Sequence, residues 1–263
     1  MDELQAVAAA LGPGAVALIA LTVAFAGFLR GFVGFGAALI IAMVLSAILG
    51  PTLAVPIATL SGLPATLQLL HDARRHADAQ FVLPFGVAAF VAAPAGAWVL
   101  VSLDAAVMRM LISTFVLLMV VLLVKGWHPF GRVTPKVSAI AGAAAGWVQG
   151  ASSVSGPLAV LVALSRPGEA HVQRANVIGV VASLNMCGLL PFFFFDLFTL
   201  EVVIISLAII PLYSGTTWLG ARYFSAHGHQ IFRTAALGAM AFIGVVTFGY
   251  ALMDFVRQPG VAV

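Results

Sequence analysis

Long apolar stretches run along this chain, separated by short clusters of charge, proline and glycine. Eight apolar regions can be marked off, roughly 13–49, 52–70, 81–102, 106–125, 137–164, 175–195, 200–222 and 234–254. A helix needs about 20 apolar residues to cross about 30 Å of hydrocarbon, and each region is of that order or longer. None alternates with period two, as the strands of an outer-membrane barrel do. Backbone polar groups inside hydrocarbon must be satisfied within their own segment, so the regions are expected to be helices. The pattern therefore predicts an all-α polytopic membrane protein.

Two regions are interrupted. The first contains Gly27-Phe28-Leu29-Arg30-Gly31-Phe32-Val33-Gly34-Phe35-Gly36, and the fifth contains Gly146-Trp147-Val148-Gln149-Gly150-Ala151-Ser152-Ser153-Val154-Ser155-Gly156-Pro157. Glycine and proline at this density break or unwind a helix. Irregular backbone survives at membrane depth where it is buried in protein or lines a wet cavity. Close packing through the Gly27/Gly31 and Gly146/Gly150 spacings is the simpler alternative. It accounts for the glycines but not for an Arg, a Gln and three Ser in the same places.

The chain also matches itself. Gly27, Arg30, Gly31 and Leu39 fall on Gly146, Gln149, Gly150 and Leu158 at an offset of 119 residues. At 117, Ala58, Thr59, Gly62, Thr66 and Gln68 fall on Ala175, Asn176, Gly179, Ser183 and Asn185; at 124, Gly96 and Arg109 fall on Gly220 and Arg233. Similar offsets in chain order predict an N-terminal repeat over 1–126, a connecting loop at 127–136 and a C-terminal repeat over 137–263. Each repeat would hold one broken region and three spans.

Basic residues choose between two topologies. If every region crosses once, Arg74, Arg75, Lys125, Arg132, Lys136 and Arg257 face Arg109, Arg166, Arg174, Arg222 and Arg233, six against five. That split orients nothing. If each broken region enters and returns as a hairpin or re-entrant segment, nine lie on one side and only Arg109 and Arg257 on the other. Lys and Arg favour cytoplasmic loops, so the hairpin arrangement is expected. It makes the halves an inverted repeat, the plan of many secondary transporters, and puts both termini on the non-cytoplasmic side. The Met1-Asp2-Glu3 start has no basic n-region, so no cleavable signal peptide is read.

Composition removes other classes. Apolar residues make up 62% and charged residues 8% of 263, against about 45–50% and about 25% in soluble domains. So few charges cannot coat a water-soluble globule, and the surface is expected to face lipid. The net charge of +3 lies mostly in short connections and reads as a topology signal, not a nucleic-acid surface. One cysteine, Cys187, excludes an intrachain disulfide, a Cys-based metal cluster and a thiol-redox carrier. No cofactor or metal is expected. A rhomboid-like protease would need Gly-x-Ser-Gly and an intramembrane His, and all six His lie in or beside loops.

Arg30 is the leading candidate site residue. An Arg in hydrocarbon costs several kcal/mol unless paired or hydrated, which makes it a functional hypothesis by default. Its planar fork suits oxyanions; a snorkelling side chain at a helix end is the plain alternative. Gly31, Gly34 and Gly36 could leave N–H groups free at a half-helix N-terminus, where anions are favoured. Gln149, Ser152, Ser153, Ser155 and Gly156 stand at the matching place in the other half. Gln68, Asn176 and Asn185 form a second tier, amides that more often bridge helices than touch substrate. His71 and His76 are expected in solvent, and the Phe192–Phe195 run reads as a lipid-facing or interfacial belt. The acids Asp104, Asp196, Glu201 and Asp254 lie near span ends, leaving any coupling residue unassigned.

The stretch Arg30-Gly31-Phe32-Val33-Gly34-Phe35-Gly36 resembles the first-half signature of the sulfite exporter TauE/SafE family of membrane transporters. Gln149-Gly150-Ala151-Ser152-Ser153-Val154-Ser155-Gly156-Pro157 resembles a divergent second-half signature, with Ser152, Ser153 and Ser155 where glycine is more usual. The resemblance covers nearly the whole chain. It implies secondary transport of a small sulfur-containing or organic anion across the bacterial inner membrane, outward and proton-coupled. Uptake of a carboxylate or sulfonate by the same fold is the alternative within transport, and a non-transporting assembly subunit is the alternative outside it. The expected partners are a small anion and the lipid bilayer, not nucleic acid; small-residue faces would permit a homodimer without demanding one.

Overall fold

A computed structural model of the chain describes residues 2–104, 133–166 and 169–227, with scattered residues between 107 and 121 and residue 238. The expected span at 234–254 and most of that at 106–125 lie outside the described residues.

Eight helices are described: α1 Asp2–Val33, α2 Ala37–Leu49, α3 Pro51–Ala73, α4 Ala79–Ser102, α5 Pro135–Ser152, α6 Gly156–Leu164, α7 Ala170–Phe194 and α8 Leu200–His227. Five contain segments long and apolar enough to cross a membrane, in α1, α3, α4, α7 and α8. α1 kinks at Gly12, whose φ of 77° is left-handed and which precedes Pro13. The two interrupted regions are α1–α2 and α5–α6. With 13 and nine residues, α2 and α6 reach only about 20 Å and about 14 Å at 1.5 Å per residue. Neither crosses a bilayer alone.

The outer face is apolar, and a minority of polar side chains is buried within an otherwise apolar core. Leu18, Leu21 and Phe25 on α1, and Leu83, Val87, Phe90 and Val91 on α4, face outward at helical spacing, Leu21 and Val91 more than 70% exposed. Arg30, Thr59, Thr66, Gln149, Ser155, Asn176 and Asn185 are buried. Water would not tolerate that outer face as a monomer surface; lipid does. Together with the five long apolar helices, this makes the chain a multi-pass membrane protein. The phenylalanine belt is mixed: Phe193 and Phe194 face outward, while Phe192 turns inward and is fully buried, because consecutive residues on a helix are about 100° apart.

Helix contacts rest on glycines. A Cβ on Gly27 or Gly31 of α1 would overlap the backbone of α8 at Tyr213 or Thr217, and one on Gly220 would overlap Phe28. In α5, a Cβ on Gly146 or Gly150 would overlap α4 at Ala89 or Ala93, and one on Gly96 would overlap Trp147. Successive glycines meet successive turns in the same direction, so α1 runs parallel to α8, and α5 parallel to α4. These residues pair at the offsets read from the sequence: 27, 28 and 31 with 146, 147 and 150 at 119, and 89, 93 and 96 with 213, 217 and 220 at 124. The larger helix pairings keep the same exchange: α1 with α8 and α5 with α4, α3 with α8 and α7 with α4, α2 with α3 and α6 with α7.

One end of the bundle gathers the turn after α3 and the loop before α7. Arg166 bonds the carboxylate of Asp78, the Asp78 N–H donates to Asn176 Oδ1 at 2.7 Å, and the rings of His76 and His171 meet edge to face at 5.3 Å. α5 starts at this end as well, since Ser138 donates to Phe81 O at 2.7 Å. Arg174 reaches the carbonyls of Gly31 and Phe32, bringing the C-terminus of α1 there. Arg74, Arg75, Lys136, Arg166 and Arg174 therefore share an end.

Candidate functional site

The two interruptions lie 119 residues apart. Gly34 ends α1 with φ 98°, and Ser153, 119 residues on, ends α5 with φ 56°. Glycine reaches this left-handed region freely, whereas serine does so at a cost of about 1–2 kcal/mol. Ser153 is held there by side-chain bonds: its Oγ lies 2.6 Å from Thr59 Oγ1 and 3.2 Å from Val55 O. Replacing Ser153 by alanine keeps the backbone strain and removes both contacts, and replacement by glycine removes strain and contacts together. Ser153→Ala is therefore expected to lower thermal stability by about 2 kcal/mol, and Ser153→Gly by less than half as much, measured by thermal unfolding in detergent.

After each break a short helix begins without a side-chain cap. Gly36 precedes α2 and Ser155 precedes α6, and neither offers a side-chain hydrogen bond to its helix. The first N–H groups of a helix have no partner inside it and carry the positive end of its dipole. Both of these N-termini border one cavity of about 20 Å³, lined by Gly36, Ala38 and Leu39 at the first break and Ser153, Ser155 and Gly156 at the second. Arg30, Gln149 and Asn185 complete its polar wall.

Arg30 is 2% exposed although it lies in the last turn of α1. A helical side chain leans toward its own N-terminus, which carries the guanidinium back into the bundle instead of out to the surface. Its Nη1 donates to Tyr213 Oη at 3.2 Å and its Nη2 to Thr66 Oγ1, with the Tyr213 ring 6.0 Å away. Thr66 gives its own proton to Gly62 O at 2.7 Å, so it can only accept from Asn185 Nδ2 at 2.6 Å and from Arg30. Arg30 Nε has no partner among the described residues, and no carboxylate among them pairs with this arginine. Among the described residues the charge is thus solvated by two hydroxyls and left uncompensated.

Gln149 stands 119 residues after Arg30 and is also 2% exposed. Its Oε1 accepts from Ser155 Oγ at 2.5 Å, and its Nε2 has no partner among the described residues. Arg30 and Gln149, one from each broken helix, therefore line the same space, each with one buried nitrogen left without a partner among the described residues.

Of the residues singled out in the sequence, Arg30, Gly36, Gln149, Ser153, Ser155, Gly156 and Asn185 meet at this cavity. Gly31 packs against α8, and Gly34 makes the turn, lying against Ile178. Ser152 donates to Val148 O at 2.8 Å and accepts from Val154 N–H, capping its own helix end. Asn176 holds the turn before α4. Gln68 is half-buried and outside the cavity lining. Thr66 and Tyr213, the two direct partners of Arg30, were not among the candidates. Thr66 carried a signal, since the repeat set it on Ser183; Tyr213, a lone tyrosine in an apolar run, carried none.

No curated protein and no solved structure matches the chain. A family model, Sulfite exporter TauE/SafE, matches residues 19–247. That span includes both breaks and every residue lining the cavity, and the chain belongs to the sulfite exporter TauE/SafE family of membrane transporters.

Proposed function

We propose that the protein exports a small sulfur-containing anion, a sulfite or an organosulfonate, with the cavity between the two breaks as its binding site. One observation carries this: Arg30 is buried, uncompensated by any described carboxylate, and faces a space bordered by two uncapped helix N-termini. An unpaired buried charge costs several kcal/mol, and a bound anion would offset that cost. Free N–H groups at the helix starts favour the same sign of charge.

The reading is of alternating access between two inverted halves. It is supported by the parallel pairs α1–α8 and α5–α4, by α2 and α6 being too short to cross, and by the basic residues gathered at one end. Each broken region then returns to the side it entered, the basic end is cytoplasmic, both termini are on the other side, and the membrane is the bacterial inner membrane. A cavity of about 20 Å³ has room for one water. It is too small for an anion of four or more heavy atoms, so the walls must separate for one to load. Proton coupling is assigned from the family.

Flux of sulfite, methanesulfonate and acetate into proteoliposomes, with and without a pH gradient, tests the proposal. Saturable flux of a sulfur oxyanion, accelerated by the gradient, is the expected result. Absence of flux for every anion would overturn it; acetate carried in preference to both sulfur anions would make it an organic-acid carrier instead.

A further inference from the structure

Resting on that reading of the cavity, we propose that Ser155 is a positioning residue that turns the Gln149 amide so that its NH2 group becomes the second anion contact, beside that of Arg30. A serine preceding a helix ordinarily bonds an N–H of the first turn. Ser155 precedes α6, and its hydroxyl makes no such bond. It donates instead to Gln149 Oε1 at 2.5 Å. The amide oxygen is thereby engaged on the protein side, and the nitrogen, a pure donor, is left without a partner among the described residues in a fully enclosed position. An amide turned the other way would present an acceptor to the site and repel an anion.

The donor from the second half is neutral, and the donor from the first half carries the only formal charge among the described lining residues. The pair therefore fits a singly charged group bearing at least two oxygens on one centre, one oxygen to Arg30 Nε and another to Gln149 Nε2. Because each donor belongs to a different broken helix, the same anion bridges the two halves. A halide, with a single centre, would gain less from the arrangement. Thr66 does not compete for this role, since its proton is given to Gly62 O; Asn185 gives one of its two amide protons to Thr66.

The test is kinetic, in proteoliposomes of the full-length protein, with methanesulfonate and chloride as probes. Ser155→Ala frees the amide to turn and is expected to raise KM for methanesulfonate about tenfold with kcat within about twofold, while Ser155→Thr, which keeps the hydroxyl, restores KM. Gln149→Glu puts an acceptor where the donor stood and is expected to raise KM about a hundredfold. Chloride inhibition is expected to change less than threefold in the two Ser155 variants. Wild-type KM in both Ser155→Ala and Gln149→Glu, with flux still lost in Arg30→Ala, would overturn this assignment and leave the anion site standing. A loss of kcat alone in Ser155→Ala, not restored by threonine, would also overturn it, making the serine structural. No flux in the wild-type protein would instead remove the transport reading on which it rests.

Discussion

Arg30→Ala is expected to abolish anion flux while leaving a protein at least as stable as the wild type. The expectation of stability is unusual for a residue this deeply buried. Truncating a large core side chain ordinarily costs about 2–5 kcal/mol, and here that loss is met by removal of a buried charge that no described carboxylate compensates. Taking such a charge out of a membrane interior recovers several kcal/mol. Of the partners left behind, Thr66 retains Gly62 O and Asn185, and the Tyr213 hydroxyl loses its bond to Arg30, a cost of about 1–3 kcal/mol that is smaller than the recovered charge term. Flux responds in the opposite direction. Losing one partner of a buried charge pair costs about 2–5 kcal/mol, a reduction of at least about thirtyfold. Arg30→Lys separates charge from geometry: it keeps the positive charge but cannot donate at once to Tyr213, Thr66 and the cavity, as the guanidinium fork can. It is expected to fold, to bind anion about tenfold more weakly, and to rank between wild type and alanine. Thermal unfolding and flux measured on the same preparations check both halves of the argument. Alanine protein that melts early, or that transports at the wild-type rate, would remove Arg30 from the site.

The second large effect is on assembly. Gly31→Leu and Gly150→Leu are each expected to prevent recovery of monodisperse protein, and the alanine variants to cost about 1–3 kcal/mol. At both positions even a methyl group would overlap a main-chain carbonyl, Thr217 O in one case and Ala93 O in the other. A carbonyl in a helix cannot swing aside as a side chain can, so the whole helix must move. Lipid adds no hydrophobic drive to hold the pair together; van der Waals contact and short Cα–H···O approaches do that, and both fade with separation. Gly215→Ala is the control: nothing lies within 4 Å of its added Cβ, and the change is expected to be neutral or slightly stabilising. Size-exclusion profiles and melting points give the comparison. The two glycines lie 119 residues apart and each abuts a carbonyl of the facing helix at about the same distance, so the alanine variants should match. A silent Gly31→Ala beside a damaging Gly150→Ala would count against the proposed repeat.

Much of this was legible in the chain because it follows from costs that act locally. Unpaired peptide groups and scarce charges in an apolar sequence leave helices in lipid as the solution, and all eight described helices lie where apolar runs were marked, with α1 beginning earlier, at Asp2. Arg30 announced itself because an arginine in that setting is expensive wherever its side chain ends up. The glycine spacings identified the contact faces, since a close backbone approach requires the absence of a Cβ on a fixed side of a helix, which has a sequence period.

What the sequence could not decide is direction. Ser152, Ser153 and Ser155 are the same residue within four positions, and the left-handed turn at Ser153 sends them to three different tasks: capping a helix end, bonding Val55 and Thr59 across the interface, and holding Gln149. Asn176 and Asn185 are alike in sequence, yet one secures a turn and the other completes the partners of Arg30. The partners of a buried polar group come from helices far away in the chain, Tyr213 being 183 residues from Arg30, and only packing sets which of many hydroxyls arrives. Solvent, breaks and the location of the charge were therefore fixed by composition and period, whereas the donor pattern around that charge was fixed by tertiary structure, because a hydrogen bond depends on where an atom points.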